Sequence, residues 1–314
     1  MLLFDECTGL DIVASPLNYS GGKYRLLPQI LPLFPENISN FVDLFCGGCN
    51  VGINAIADHV VFNDSNDVLI GLLTTLQSLP LDDIIFRVEK LIDQYDLSRS
   101  SVNGYEYYCC NGSDGLAEYN RISFLKMRDD FNKLTIKNMN YYIRLYVLII
   151  YSFNNQIRFN QAGNFNLPIG KRDFNPQMKS KLSSFCNRLY HGSYRFENQD
   201  FRELDVQLLT ENDFVYVDPP YLITCATYNE QGGWKENDER NLLFFLDTLH
   251  QRKIRFALSN VLRSKGKENG ILQEWLTAHQ NDYNVHFLNF HYANSNYQTK
   301  DKTPSAEEVL IVNY

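Results

Sequence analysis

No apolar run in this sequence approaches the length of a membrane span. The strongest, near Leu145–Tyr151, falls far short of one. Histidine is scarce and scattered, six in 314 residues. The seven cysteines form an odd set without the spacing of a disulfide framework. That usage predicts a reducing, cytoplasmic setting rather than a secreted scaffold. One CxxC is present, Cys46 and Cys49, but no second CxxC or histidine pair accompanies it to build a zinc site. Small buried cysteines flanking a glycine turn are the expected reading, and no metal is expected. Met1–Thr8 carries Asp5 and Glu6 without a basic start, so it does not read as a signal peptide. Repeats and low-complexity tracts are also missing. A basic excess is lacking too: 29 Lys and Arg stand against 37 Asp and Glu, for a net charge of −8. Averaged over the chain, that argues against a polyanionic partner.

The average conceals a split. Residues 121–190 hold twelve Lys or Arg and three Asp, a balance of +9, which leaves −17 for the remainder. Such a split is the footprint of a module that meets a polyanion on one face, although a plain basic helical face would count the same way.

Alternating βα rhythm occupies the two ends of the sequence. Leu26–Leu33 reads as a short helix ended by Pro32 and Pro35. Phe41-Val-Asp-Leu-Phe-Cys-Gly-Gly-Cys-Asn50 reads as strand and glycine turn, followed by a helix over Val51–Asp58. This is the pattern of the first turn of a doubly wound fold, where a cofactor meets a helix N-terminus. A strand at Val60–Phe62 precedes Asp64, the place where nucleotide-like cofactors have their ribose hydroxyls held. The full GxGxxG spacing is absent, so a plain dinucleotide site is not expected. From Asp67 to Tyr190 helical periodicity takes over: Asp67–Ser78, Asp82–Tyr95, Glu118–Leu134, Tyr141–Phe153, and a helix capped at Asn175-Pro176. Asn103–Gly115 reads as loop, and a hairpin is expected around Gln161-Ala-Gly-Asn164. The rhythm returns with strands at Tyr194–Glu197 and 214–217, then helix Glu236–Arg252, strand Ile254–Ser259, helix Lys267–His279, and strands Val285–Phe290 and Glu308–Val312. Tyr297–Pro304 is a polar loop between the last two strands.

The central stretch is Phe214-Val-Tyr-Val-Asp-Pro-Pro-Tyr221. Four mostly apolar residues make a buried strand, and two prolines stop it. Groups just past the carboxyl end of such a strand face the ligand crevice. Asp218, the carbonyl of Pro219, the rigid Pro220 and the flat ring of Tyr221 suit a grip on a planar heterocycle bearing an amine. Asp-Pro-Pro is equally an ordinary turn, so the rest of the chain must decide.

Taken in order, these motifs resemble the Dam-type DNA adenine-N6 methyltransferases of the D12 class, α group, over nearly the whole length. The nearest likeness is to the Dam methylases of T-even phages. It is carried by Tyr19-Ser-Gly-Gly-Lys23, Phe41–Gly48, Asn63-Asp64, Asn155–Arg172, Asp218–Thr224, Ser259-Asn-Val261, Gly266–Asn269 and Glu308-Val309. The resemblance implies a Rossmann-like sheet, residues 1–66 and 191–314, that binds S-adenosylmethionine, and an inserted helical target-recognition domain, 67–190, carrying a β-hairpin. It implies a cofactor site of Tyr19, Lys23, Asp43, Gly47, Asp64, Asp200 and Asp218, and a catalytic group of Asp218, Pro219, Pro220 and Tyr221. Asn154, Gln156, Arg158, Asn164, Pro168, Lys171 and Arg172 would contact double-stranded DNA, with the target adenine in GATC. A cognate restriction endonuclease is a candidate partner, and a monomer or weak dimer is expected. Rival readings are an RNA or protein-amide methyltransferase, a DNA-binding module without catalysis, and a CxxC redox protein.

Overall fold

The computed structural model describes residues 12–19, 21–110, 115–224, 233–289 and 306–314. Met1–Thr8 and Tyr297–Pro304 lie outside the described residues. The chain divides into two compact units, Lys23–Ser65 with Ser193–Tyr314 and Met1–Gly22 with Asn66–Gly192. The described residues up to Gly22 therefore group with the inserted helices rather than with the sheet.

In chain order the sheet unit opens with α1 (Leu27–Ile30), β1 (Asn40–Asp43) and β2 (His59–Asn63). The helical unit carries α2 (Asp67–Ser78), α3 (Leu81–Gln94), α4 (Ser100–Tyr107), α5 (Ala117–Asn132), α6 (Met139–Tyr151) and α7 (Pro176–His191). The sheet unit resumes with β3 (Tyr194–Glu197), β4 (Phe214–Val217), α8 (Glu236–Gln251), β5 (Arg255–Ser264), β6 (Lys267–Glu268), α9 (Gly270–Ala278), β7 (Asn284–Leu288) and β8 (Ala306–Val312). The strands form one mixed sheet in the order β3-β2-β1-β4-β5-β8-β7, with β6 attached to β5. β3, β2, β1, β4 and β5 are parallel, whereas β8 runs antiparallel between β5 and β7. This is the doubly wound class expected from the sequence.

Period-two alternation explains the central strands. Val42, Val215 and Val217 belong to one apolar core with Leu242, Leu246 and Leu249 of α8 and Leu272 and Trp275 of α9. The residues of opposite parity, Phe41, Phe214 and Tyr216, gather with Phe34 in a second cluster, ring centroids 4.9–6.4 Å apart. Buried on both faces, β1 and β4 read as nearly unbroken apolar runs, as parallel strands do.

Four local expectations are corrected. Over Val51–Asp58 the chain makes only a 3-10 turn, Gly52–Asn54, and is extended at Ala55. The reason is crowding: a Cβ on Gly52 would lie 2.5 Å from Phe62 Cε1 and 2.9 Å from Asp43 Oδ2, so the backbone is pressed onto the strand ends. In 103–115, read as loop, α4 forms and is broken at Gly104, whose φ of 76° and ψ of 163° are not helical. The helix read from Lys267 starts only at Gly270, because Lys267–Glu268 pair with β5 and Asn269 accepts the Leu272 N–H as its cap. The hairpin of the insertion has two isolated antiparallel bridges, Phe159↔Phe165 and Ser152↔Ile169, and no continuous ladder.

In the helical unit, α6 is almost wholly apolar, and Leu145–Tyr151 are all buried. It packs against α2, α3 and α5. Tyr151 OH donates to the Ser98 carbonyl (2.7 Å), and Ser98 Oγ and Ser100 Oγ donate to the buried Asp173. Among the described residues, no helix is long and apolar enough to cross a membrane.

Candidate active site

Strand order reverses at β1: the chain steps outward to β2 and β3, then returns to place β4 on the other side. A crevice opens at the carboxyl ends of strands at such a reversal. Asp43 ends β1, Asp64 follows β2 and Asp218 follows β4. Asp43 pairs in register with Tyr216, and Asp218 lies two residues further along the same face.

On the β1–β2 side, Asp43 is 1% exposed and its Oδ2 accepts the Gly52 N–H at 3.0 Å. Burial pushes this carboxyl up to about 8, against the lowering effect of the Gly52 N–H; the Asp218 and Asp64 charges add to the rise. Gly47 adopts φ +47°, which glycine tolerates without strain. Its N–H donates to Asp64 Oδ2 at 3.1 Å, and the Cys46 N–H donates to the Asn63 carbonyl at 2.8 Å. A glycine turn tied to the acid after β2 results, without the expected helix N-terminus. Cys46 and Cys49 are buried, and burial pushes both thiols up, away from the reactive thiolate.

On the β4 side, Lys23 Nζ lies 2.9 Å from Asp218 Oδ1 and 3.5 Å from Glu308 Oε1 of β8. The Tyr221 hydroxyl lies 2.9 Å from Asp218 Oδ1 and 3.2 Å from Glu308 Oε1. Lys23 Nζ also stands 4.8 Å from the centroid of the Tyr221 ring, a cation–π contact. Burial raises the carboxyls of Asp218 and Glu308, while the Lys23 charge draws both back. Asp218 is divided between its oxygens. Oδ1 takes both Lys23 and Tyr221, and among the described residues Oδ2 accepts no hydrogen bond. One oxygen is anchored, and the other, on a half-buried side chain, is an acceptor open to a ligand's N–H. Behind them, Tyr216 OH and Ser259 Oγ are 2.7 Å apart in the core.

The model of the family described as D12 class N6 adenine-specific DNA methyltransferase matches residues 19–289. The chain belongs to that family. It is 41% identical over 308 residues to the modification methylase StsI of Streptococcus sanguinis and 39% identical over 308 residues to the type II methyltransferase M.FokI of Planomicrobium okeanokoites. These matches cover 96% of this chain and 43% of either relative, so the chain spans less than half the length of both. It is also 25% identical over 254 residues to the DNA adenine methylase of Escherichia coli K12, covering 78% of this chain and 79% of that protein.

Within this D12-class chain the other anticipated residues are placed as follows. Asp200 is held by Arg202, whose guanidinium donates to both carboxylate oxygens at 3.0 and 2.8 Å. Tyr19 lies in the helical unit, where its carbonyl accepts the Gly22 N–H at 3.1 Å and closes the turn before Lys23. Pro219 is buried and Pro220 exposed. In the insertion, Asn154, Arg158, Asn164, Pro168, Lys171 and Arg172 are exposed and Gln156 is half-buried. Asn154 and Asn155 both take left-handed backbone, φ 57° and 53°, a conformation asparagine bears better than most residues. The loop tip closes on Asn160, whose Oδ1 accepts the N–H groups of Ala162 and Asn164 at 3.1 and 2.9 Å. Arg158 is clasped by Asn166, with Nε donating to Oδ1 at 2.7 Å. From α5, Asn132 brackets Phe165, donating to its carbonyl at 3.1 Å and accepting its N–H at 2.9 Å. The +9 balance is partly cancelled by acids outside that stretch: Arg121 pairs with Glu118, Lys137 with Asp67 and Lys179 with Glu89.

Glu308 received no role from the sequence, although Glu308-Val309 is among the stretches of resemblance. The available signal was an acid leading into the apolar run Val309–Val312, a position where burial without a partner would be costly.

Proposed function

We propose that this chain transfers a methyl group from S-adenosylmethionine to the N6 amine of an adenine flipped out of duplex DNA. The observation that carries the reading is the divided Asp218: an anchored oxygen, and an unengaged one, at the switch point of the sheet. An adenine amine is a poor nucleophile because its lone pair is delocalised into the ring. Acceptance of its hydrogens by Asp218 Oδ2 and the Pro219 carbonyl favours a tetrahedral nitrogen and stabilises the charge that develops there. Tyr221, with Lys23 against one face of its ring, stacks the extruded purine on the opposite face. Asp43, Gly47 and Asp64 hold the cofactor with Lys23, and the buried Asp43 carboxyl suits the cationic methionine end. When bound, the cofactor supplies an electrophilic sulfonium methyl.

The reading is tested by incubating the chain with tritiated-methyl cofactor and either duplex DNA or RNA, then mapping modified bases by single-molecule sequencing. N6-methyladenine in DNA at one sequence context is expected. Label on RNA, or on neither polymer, would sink it. An adenine within GATC is the finer proposal, and it rests on the Dam resemblance of the sequence. The two modification methylases at 41% and 39% identity favour a second reading, a target shared with a cognate restriction endonuclease. The same map separates the two.

Cofactor binding should depend on pH with a defined sign. Below about 8, Asp43 holds a proton and is neutral; above it, the carboxylate attracts the cationic ligand. Affinity measured by calorimetry should therefore rise as pH climbs through about 8, and Asp43→Asn should flatten the rise. An equally steep rise in that variant would remove Asp43 from the cofactor site.

The helical unit, with residues 67–190, acts as the target-recognition domain. Arg158, oriented by Asn166, reads a base edge, while Lys171 and Arg172 meet phosphates; Asn154, Gln156, Asn164 and Pro168 complete the contact. Arg158→Ala is expected to cost about 1–3 kcal/mol at one base pair and relax its discrimination. Arg172→Ala should weaken all sequences alike and lower the salt slope by about one. Binding titrations on matched and mismatched duplexes at several salt concentrations check both, and identical behaviour of the two variants would refute the division.

A further inference from the structure

The Tyr221 hydroxyl has one hydrogen and two acid oxygens within reach, Asp218 Oδ1 at 2.9 Å and Glu308 Oε1 at 3.2 Å. A single hydrogen cannot serve both. If both acids are ionised, only one of them can take the hydroxyl hydrogen. The Lys23 ammonium stands 2.9 Å from Asp218 and 3.5 Å from Glu308 and can donate to both, but it brings one positive charge to two negative ones. Two negative charges and one positive charge would then be enclosed together, with Lys23 and Glu308 each 4% exposed. One added proton removes the conflict.

We propose that Glu308 is a positioning residue that rests protonated, donating its own hydrogen to the Tyr221 hydroxyl oxygen so that Tyr221 donates to Asp218. The chain of donors then runs one way, from Glu308 through Tyr221 to Asp218 Oδ1, with Lys23 as the counter-charge of Asp218. Asp218 stays ionised and its Oδ2 stays directed at the substrate amine, while the Tyr221 ring is fixed in orientation by both ends of its hydrogen bonding. Glu308 acts through Tyr221 and touches no reacting atom.

The surroundings favour the proton on Glu308. Burial raises its carboxyl and the Asp218 charge raises it further, with Lys23 opposing. Its partners in the sheet, Val261 on β5 and Leu288 on β7, bring no charge. Among the described residues, the titratable groups that interact with it are Lys23, Asp218, Tyr221 and the buried Tyr216.

The kinetic arm of the test rests on the methyltransferase reading above; the spectroscopic arm does not. Glu308→Gln supplies an amide donor in place of the acid proton and should keep kcat within about tenfold of wild type. Glu308→Ala frees Tyr221 and should lower kcat about a hundredfold, with cofactor affinity little changed. At saturating cofactor, wild-type kcat should fall on the alkaline side as Glu308 loses its proton, and Glu308→Gln should lack that fall. Infrared spectra of protein carrying isotope-labelled glutamate should show a protonated-carboxyl band that Glu308→Gln lacks. A glutamine variant as impaired as the alanine one, an alkaline fall common to both proteins, or no such band would overturn the proposal. If wild type methylates no DNA while the band is present, the methyltransferase reading has failed and the assignment of the proton stands.

Discussion

Asp218→Ala is expected to abolish methyl transfer, by about a thousandfold or more, while leaving duplex binding within a few-fold of wild type. The loss follows from the division of labour between the two oxygens. Without the carboxylate the Pro219 carbonyl alone is left to draw the amine toward tetrahedral geometry, whereas the exposed residues of the insertion proposed to meet DNA are untouched. Asparagine should be no better than alanine. Lys23 and Tyr221 both donate toward Oδ1, so an amide turns its oxygen to that side and points its NH2 where the substrate amine would sit. A donor then meets a donor. Tritiated-methyl incorporation and gel-shift titration of both variants check this, and appreciable turnover by Asp218→Asn would refute the orientation described.

Lys23→Met is expected to have the largest effect on stability. It removes a buried cation and leaves the Asp218 carboxylate without its counter-charge beside Glu308 and the Tyr221 hydroxyl. Breaking a buried ion pair from one side typically costs about 3–5 kcal/mol. The loss should grow with pH. In the variant the lowering effect of Lys23 is gone, so the folded carboxyls hold protons that the unfolded chain has already released. Each rise in pH through that window then favours unfolding. Both tryptophans, Trp234 and Trp275, belong to the sheet unit, so fluorescence-detected urea unfolding reports on the unit that contains the change. A loss that is the same at acid and alkaline pH would show that Lys23 acts through packing alone. Adding Glu308→Gln should restore part of the stability at alkaline pH, where a glutamate held protonated in the fold is ionised in the unfolded chain.

Much of the sheet was legible because its strands are buried on both faces and announce themselves as apolar runs ended by an acid, a glycine or a proline. β1, β2, β3, β4 and β8 all fall where the residues suggested, as do α2, α3, α5, α6, α7 and α8. The errors have a common cause in tertiary crowding. The stretch after Cys49 has helical composition, but Gly52 is pressed against Asp43 and Phe62, and the eight residues Val51–Asp58 must also reach β2. Gly104 interrupts a helix that turn-forming residues had hidden. Lys267 and Glu268 are drawn into a short pair with β5, a partner that no local window can reveal. The candidate site divides along the same line. Lys23, Asp218 and Tyr221 could be picked out singly, and the structure places them in direct contact. Glu308 could not be given a task, because its meaning lies in a hydroxyl 87 positions away in sequence.

The placement of β8 between β5 and β7 has a consequence for how the protein comes into being. A ribosome makes Lys23 early and Glu308 late, and the two share one cluster only after β8 has threaded between strands already synthesised. Until then β7 has no neighbour in the sheet, and Tyr221 lacks one of its two anchors. A growing chain that has already released its helical unit therefore carries the basic insertion before it carries the finished cluster of Lys23, Asp218, Tyr221 and Glu308. That cluster closes only when β8 has been translated.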